Sequence, residues 1–310
     1  MAEDAGLERP DTARQRLSDA ATVGSFRFGA LAAKMIPGPM ASLTATGLGF
    51  GVSFASPAKR AMIERHLQRV NPKLRGASLR VAVQQSFDSY ARYYMESFRL
   101  PSMSAKAVAR SFTLEGFEQV TAALEEGTGC IVALPHLGGW EWAGRWLADQ
   151  GVKITVVVEA LDPPELFEWF ADLRTGLGMN IIPTGPNAGT EVMAALKRNE
   201  VVCLLCDRDL DRTGVEVEFF GERTTLPPGP AMLGLRLGAP VLPTAVYFTN
   251  EYNGHFALVR PALSLVRRGG MREDVARVTQ NLAHELEFLI RRAPEQWHMF
   301  QPNWPSDPGY

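Results

Sequence analysis

The chain has 310 residues, 46% of them hydrophobic and 21% charged, with a net charge of −2, enough for one large core or two modest ones. That balance, with a pI near 6.3 and no basic tail, excludes binding to nucleic acid through overall charge. Cys130, Cys203 and Cys206 are too few for a secreted disulfide framework, and the mixed-charge start MAEDAGLERPDTARQRLSD lacks the basic and then apolar stretches of a secretory signal. The expectation is a chain that stays in a reducing cytoplasm.

Residues 1–15 are expected to be a disordered tail, and residues 16–100 a helical segment that contacts membrane. In that segment SFRFGALAAKMI, AKRAMIERHLQRV and LRVAVQQSFDSYARYYMESF repeat apolar residues every three or four positions, with Pro37, Pro39, Pro57 and Pro72 as breaks. The uncharged run between Lys34 and Lys59 is interrupted by prolines, glycines, serines and threonines. A membrane span needs about 20 predominantly apolar residues, so the run predicts a helical pair lying in the membrane interface instead of crossing it. Between Lys59 and Arg80 seven basic residues stand against Glu64 alone. They read either as a solvated helix face or as attraction to an anionic leaflet, worth about 1 kcal/mol per basic residue.

After Pro101 the rhythm changes. Short apolar runs, CIVALP, KITVVVE, NIIPT, VVCLLC, APVLPTAVYF and FALVRPAL, are mostly separated by helical stretches. The alternation predicts an α/β core over residues 101–310, with a central mostly parallel sheet flanked by helices. A last amphipathic helix over about residues 272–292 precedes the aromatic tail EQWHMFQPNWP.

Chemistry in open α/β sheets gathers beyond the carboxyl ends of strands, and His136 stands there, directly after CIVALP. Gly138 and Gly139 leave room around it, and a helix starting at Trp140 is expected to aim free amides at the same place. A neutral imidazole so placed suits a general base for acyl transfer, and Glu141 follows within the first helical turn. Taken alone, a strand-end histidine is more often structural. Asp207, Arg208 and Asp209 follow the run VVCLLC as His136 follows CIVALP. If the two strands are neighbours, the Asp207 carboxylate reaches His136 Nδ1, the histidine–carboxylate logic of a hydrolytic triad without its serine; the other reading is an Asp207–Arg208 ion pair at the sheet edge. The remaining histidines show no metal-ligand spacing. Cys203 and Cys206 face opposite sides of a strand, and no GxSxG elbow or phosphate-binding loop is present.

These residues resemble a known family. PHLGGWE matches the HX4(D/E) motif of the lysophospholipid acyltransferase superfamily, in the branch of the bacterial lipid A late acyltransferases and the actinobacterial phosphatidylinositol mannoside acyltransferases. FFGERTTLPPGPAMLGLRLGAPVLP (residues 219–243) and PEQWHMFQPNW are similar to later segments of the same branch. The mannoside group is the closer likeness, and it carries over Glu159, Arg174, Asp207, Arg208 and Asp209 by position. That group has glutamate where this chain has Asp207, and usually aspartate where it has Glu141.

The resemblance implies transfer of a long acyl chain from acyl-CoA, palmitoyl-CoA foremost, or less readily from acyl carrier protein, to a glycolipid hydroxyl. The place implied is the cytoplasmic face of the cell membrane, with the protein peripheral on an anionic surface. His136 would be the base, oriented by Asp207 with Glu141 nearby. Backbone amides or Arg208 would hold the oxyanion, and Arg174 and Arg223 would meet phosphates. Neither cofactor nor metal is implied. The rival readings are an acyl-thioester or lipid hydrolase, active without acceptor, and a non-catalytic lipid-binding membrane protein in which His136 is structural.

Overall fold

The structure, a computed structural model, describes residues 13–310. Four helices come first: α1 (Ala13–Met35), α2 (Gly38–Ala55), α3 (Pro57–Val70) and α4 (Gly76–Arg99). Pro37 precedes α2 and Pro57 opens α3, positions where a missing N–H costs the helix nothing. Because α1 starts at Ala13, the end of the expected 1–15 tail is helical, and the rest of it lies outside the described residues. α2 packs along α4 so closely that a Cβ on Gly49 would stand 2.8 Å from the Asp88 Cα. Away from that contact α2 exposes Met40, Leu43, Leu48, Phe50, Val52 and Phe54, and α1 adds Phe28, Leu31 and Met35. Among the described residues no helix is long and apolar enough to cross a membrane.

A short connector and α5 (Ala105–Arg110) lead into the alternating part. It runs β1 (Phe112–Glu115), α6 (Glu118–Glu125), β2 (Cys130–Leu134), α7 (Trp140–Asp149), β3 (Ile154–Val158), α8 (Pro164–Thr175), β4 (Met179–Pro183), α9 (Ala188–Lys197) and β5 (Val201–Leu205). A hairpin of β6 (Val215–Phe219) and β7 (Glu222–Leu226) follows, then α10 (Gly229–Leu237), β8 (Val241–Phe248), β9 (His255–Val259) and α11 (Met271–Arg291). Seven strands form one sheet in the order β1-β9-β8-β2-β5-β3-β4. Every neighbouring pair is parallel except β8 and β9. Helices cover both faces of the sheet, so a central strand is apolar throughout instead of alternating. In β2, Ile131 and Ala133 pack toward α9 and α11, while Cys130, Val132 and Leu134 pack toward α6 and α7.

The edge strand β1 and the hairpin are elements that apolar runs do not reveal. β1 has only four residues, one of them fully buried, and β6 and β7 carry charges on their exposed positions. The chain beyond α11 closes over α3. Arg69 pairs with Asp307 at 3.1 Å and Glu222 at 2.9 Å and lies 4.0 Å over the Trp304 ring, and Arg65 also reaches Asp307. Part of the basic stretch expected to face an anionic leaflet therefore seats the C-terminal segment. Beside it, His66 is buried; its Nε2–H donates to the Gln301 carbonyl at 2.9 Å and its Nδ1 accepts from Arg69. Burial pushes this imidazole down to about 4, so it sits neutral in the fold.

Candidate active site

β2 and β5 are adjacent and parallel, with Leu134 opposite Leu205. His136 and Asp207 each stand two residues past those partners, so the register alone brings them side by side beyond the strand ends. The His136 Nδ1–H donates to Asp207 Oδ1 at 2.7 Å. The His136 backbone N–H and the Trp297 indole N–H both donate to Oδ2, at 3.0 and 2.7 Å, and the Asn303 side-chain amide donates to the Asp207 backbone carbonyl at 3.1 Å. Asp207 is completely buried. Burial alone would push its carboxyl up, but the charge and hydrogen bonds of His136 and the bond from Trp297 outweigh this and hold it below the usual carboxylate range. An ionised Asp207 fixes the tautomer with the proton on Nδ1. His136 lines the neighbouring cleft, so its Nε2 lone pair is left as the acceptor.

The turn after His136 is held by its glycines. Gly138 has φ +59° and a Cβ there would run into the Val246 carbonyl, while one on Gly139 would stand 2.6 Å from His255 Nε2. The Gly138 and Gly139 amides donate to the Gln296 and Val246 carbonyls. That corrects the expectation of an uncrowded turn: both glycines are pressed against β8 and His255, and their two N–H groups hold the loop in place.

Glu141 is 2% exposed and turns away from this pair. One oxygen, Oε1, accepts from the Tyr93 hydroxyl at 2.5 Å and from Arg174 at 3.1 Å, and Oε2 has no partner. Burial pushes its carboxyl up, opposed by the charge of Arg174 and the bond from Tyr93. Arg174 lies 4.9 Å over the Trp140 ring. Arg208 pairs with Glu159 at 2.7 Å, and Asp209 caps the Gly214 amide at 2.8 Å. The structure thus gathers His136, Glu159, Arg174, Arg208 and Asp209 around one cleft of about 540 Å³. Arg223 stands apart, on the hairpin, in an exposed pair with Glu216 at 3.1 Å.

Apolar groups from β3, β5, α8 and the loop between β3 and α8, among them Val158, Leu161, Leu205 and Phe170, form much of the cleft wall. Trp140 lines it and also a small apolar cavity of about 50 Å³ behind it, between the sheet and α7. Cys206 lies in the wall too, but burial pushes its thiol well above the usual range, so it stays an unreactive thiol. Among the described residues no group of three or more His, Cys, Asp or Glu is placed to share a metal.

Sequence reasoning missed the partners that come from far along the chain. Trp297 and Asn303 lie in the aromatic tail, Tyr93 on α4, and His298 beside the cleft, where burial and the charge of His136 push it down to about 3. The tail's density of aromatic and amide side chains was the available signal. It did not say which strand end the tail would cover.

A model of the bacterial lipid A biosynthesis acyltransferase family matches residues 21–306. The chain is 37% identical to a phosphatidylinositol mannoside acyltransferase of Mycobacterium tuberculosis, over 97% of this chain and 94% of that protein. It is 38% identical to the protein of the same name from Mycolicibacterium smegmatis, over 73% of each. The histidine–carboxylate pair opening on an apolar cleft, and a match that takes in every element from α2 to α11, lead to one conclusion: the chain belongs to the bacterial lipid A biosynthesis acyltransferase family and is an acyltransferase.

Proposed function

We propose that this enzyme moves a long fatty acyl chain from acyl-CoA to a hydroxyl of a phosphatidylinositol mannoside at the cytoplasmic face of the membrane. The observation that carries the chemistry is the 2.7 Å bond from His136 Nδ1 to a completely buried Asp207, which leaves Nε2 as a base toward the cleft. The acceptor hydroxyl gives its proton to Nε2 as its oxygen attacks the thioester carbonyl carbon. The carbonyl π pair moves onto oxygen, and collapse of that oxyanion breaks the C–S bond. The departing thiolate then takes the proton from the imidazolium, leaving ester, thiol and a neutral His136. Asp207 steadies the transient imidazolium. Arg208 lines the cleft and is the cation we assign to the oxyanion, a contribution of about 3 kcal/mol for a well-placed donor.

The names of the relatives support the acceptor. The exposed apolar side chains of α1 and α2 support binding at a membrane surface, since each one buried in the interface contributes about 1.5–3 kcal/mol. Arg27, Lys34 and Lys59, all exposed, suit an anionic leaflet. The test is thiol release and acyl-lipid formation from palmitoyl-CoA by purified protein, with and without phosphatidylinositol mannoside in vesicles. Acceptor-dependent release with a new acylated lipid supports the proposal. Equal release without acceptor makes the enzyme a thioester hydrolase, and acylation of a lysolipid in preference to the mannoside replaces the acceptor.

A further inference from the structure

We infer that Tyr93, from the N-terminal helical layer, is a positioning residue: its hydroxyl fixes Glu141, and Glu141 holds the Arg174 guanidinium at the cleft to receive a substrate phosphate. The inference rests on the acyl-transfer reading only for its substrates, since both acyl-CoA and a phosphatidylinositol glycolipid carry phosphate.

Three observations converge. The two donors share a single oxygen of Glu141, Tyr93 at 2.5 Å and Arg174 at 3.1 Å, while Oε2 has none. A carboxylate with one oxygen spare is free to rotate and take Arg174 by both nitrogens once the phenol is gone, which draws the guanidinium back from the cleft. Arg174 itself lines the cleft, only 11% exposed, flanked by the rings of Trp140 and Phe170, with NH2 making its bond to Glu141. A guanidinium held at a cleft wall, with its planar fork of donors, is the side chain suited to phosphate oxygens. Tyr93 can play only the donor, because burial and the charge of Glu141 keep its phenol well above its ordinary range. The titratable groups that face Glu141 are Tyr93 and Tyr94 from α4 and Arg174 from α8. Glu141, the acid of the HX4E motif, thus works through an arginine here, and α4 supplies the part that completes it.

Tyr93→Phe isolates the hydroxyl, because the ring keeps its stacking on Tyr90 and its packing against Tyr94 and His298. Binding of coenzyme A and of glycerophosphoinositol, the soluble phosphate-bearing parts of donor and acceptor, is measured by titration calorimetry for wild type, Tyr93→Phe, Arg174→Gln and the double variant. Catalysis does not enter these measurements, so failure of the acyl-transfer reading leaves them interpretable. The expected result is a loss of about tenfold in affinity for one probe in Tyr93→Phe, the size of one hydrogen bond to a charged group, and no further loss when it is added to Arg174→Gln. The probe affected says whose phosphate is held. In turnover the same variant raises KM for that substrate and leaves kcat within about twofold, a split that general loosening of the fold does not produce. The inference is overturned if wild type binds neither probe, if Tyr93→Phe binds both as wild type does, or if its loss adds in full to that of Arg174→Gln. Should Arg174→Gln fail to fold, the affinities of Tyr93→Phe for the two probes, beside wild type, decide alone.

Discussion

Replacing Asp207 by asparagine keeps the shape of the side chain and reverses one hydrogen bond. Oδ2 serves two donors, the His136 backbone amide at 3.0 Å and the Trp297 indole at 2.7 Å, so the amide oxygen takes that place and the NH2 faces His136 Nδ1, now at Oδ1's position. Nδ1 must then accept, which moves the imidazole proton to Nε2 and removes the lone pair from the cleft. In serine hydrolases the same carboxylate-to-amide change lowers turnover by about 10⁴. Here we expect kcat to fall by about 10³ to 10⁴, or about 4–5.5 kcal/mol in the barrier, with KM nearly unchanged because Asp207 is sealed from substrate. The assay is the initial rate of labelled palmitoyl transfer over a range of both substrates, beside thermal melts of each protein. A well-folded Asp207→Asn enzyme within tenfold of the wild-type kcat would refute the reasoning, since tautomer control would then not matter to the step.

Trp297→Phe deletes the other donor to Oδ2 but keeps most of the ring; a hydrogen bond to a charged group is worth about 1.5–3 kcal/mol, so kcat should drop at least tenfold, and an unchanged kcat would remove Trp297 from the site. Met35 and Phe54 are each 84% exposed; at about 1.5–3 kcal/mol per inserted side chain, changing both to serine should weaken partition onto anionic vesicles by at least about a hundredfold, measured by sedimentation, and unaltered binding would place the membrane contact elsewhere. Stability should fall on mild acidification, because the unfolded chain takes up a proton on His66 below pH 6.5 whereas the fold resists until about 4. Nothing is lost above pH 6.5; the loss grows as pH drops through that window and reaches about 3 kcal/mol at its foot. His66→Gln should flatten the fall in melting temperature between pH 7 and 4.5, and an unaltered slope would contradict a buried neutral His66.

Much of the fold is legible in local pattern because covered parallel strands must be continuously apolar, and runs such as CIVALP and VVCLLC are nothing else. The same two runs expose the heart of the site: a histidine and an aspartate equally far past two strand ends meet if those strands are neighbours, and β2 and β5 are. What no local pattern holds is the order of strands or the path of the tail. Trp297 reaches Asp207 across 90 positions, and Tyr93 reaches Glu141 across 48. Glu141 shows the limit most clearly, since its spacing from His136 suggests a shared task, yet the helix starting at Trp140 carries it into a buried contact with Arg174. The pair Gly138–Gly139 suggests open space around the histidine, whereas these glycines are required by the close approach of β8 and His255.

The most direct test of the account is the rate of palmitoyl transfer from palmitoyl-CoA to phosphatidylinositol mannoside by His136→Ala beside wild type, both shown folded by thermal melt. A general base is worth about 10² to 10⁴, so the account predicts acceptor-dependent transfer by wild type and a loss in that range for the variant. Transfer by His136→Ala at the wild-type rate would contradict it, because the base would then lie somewhere other than the end of β2.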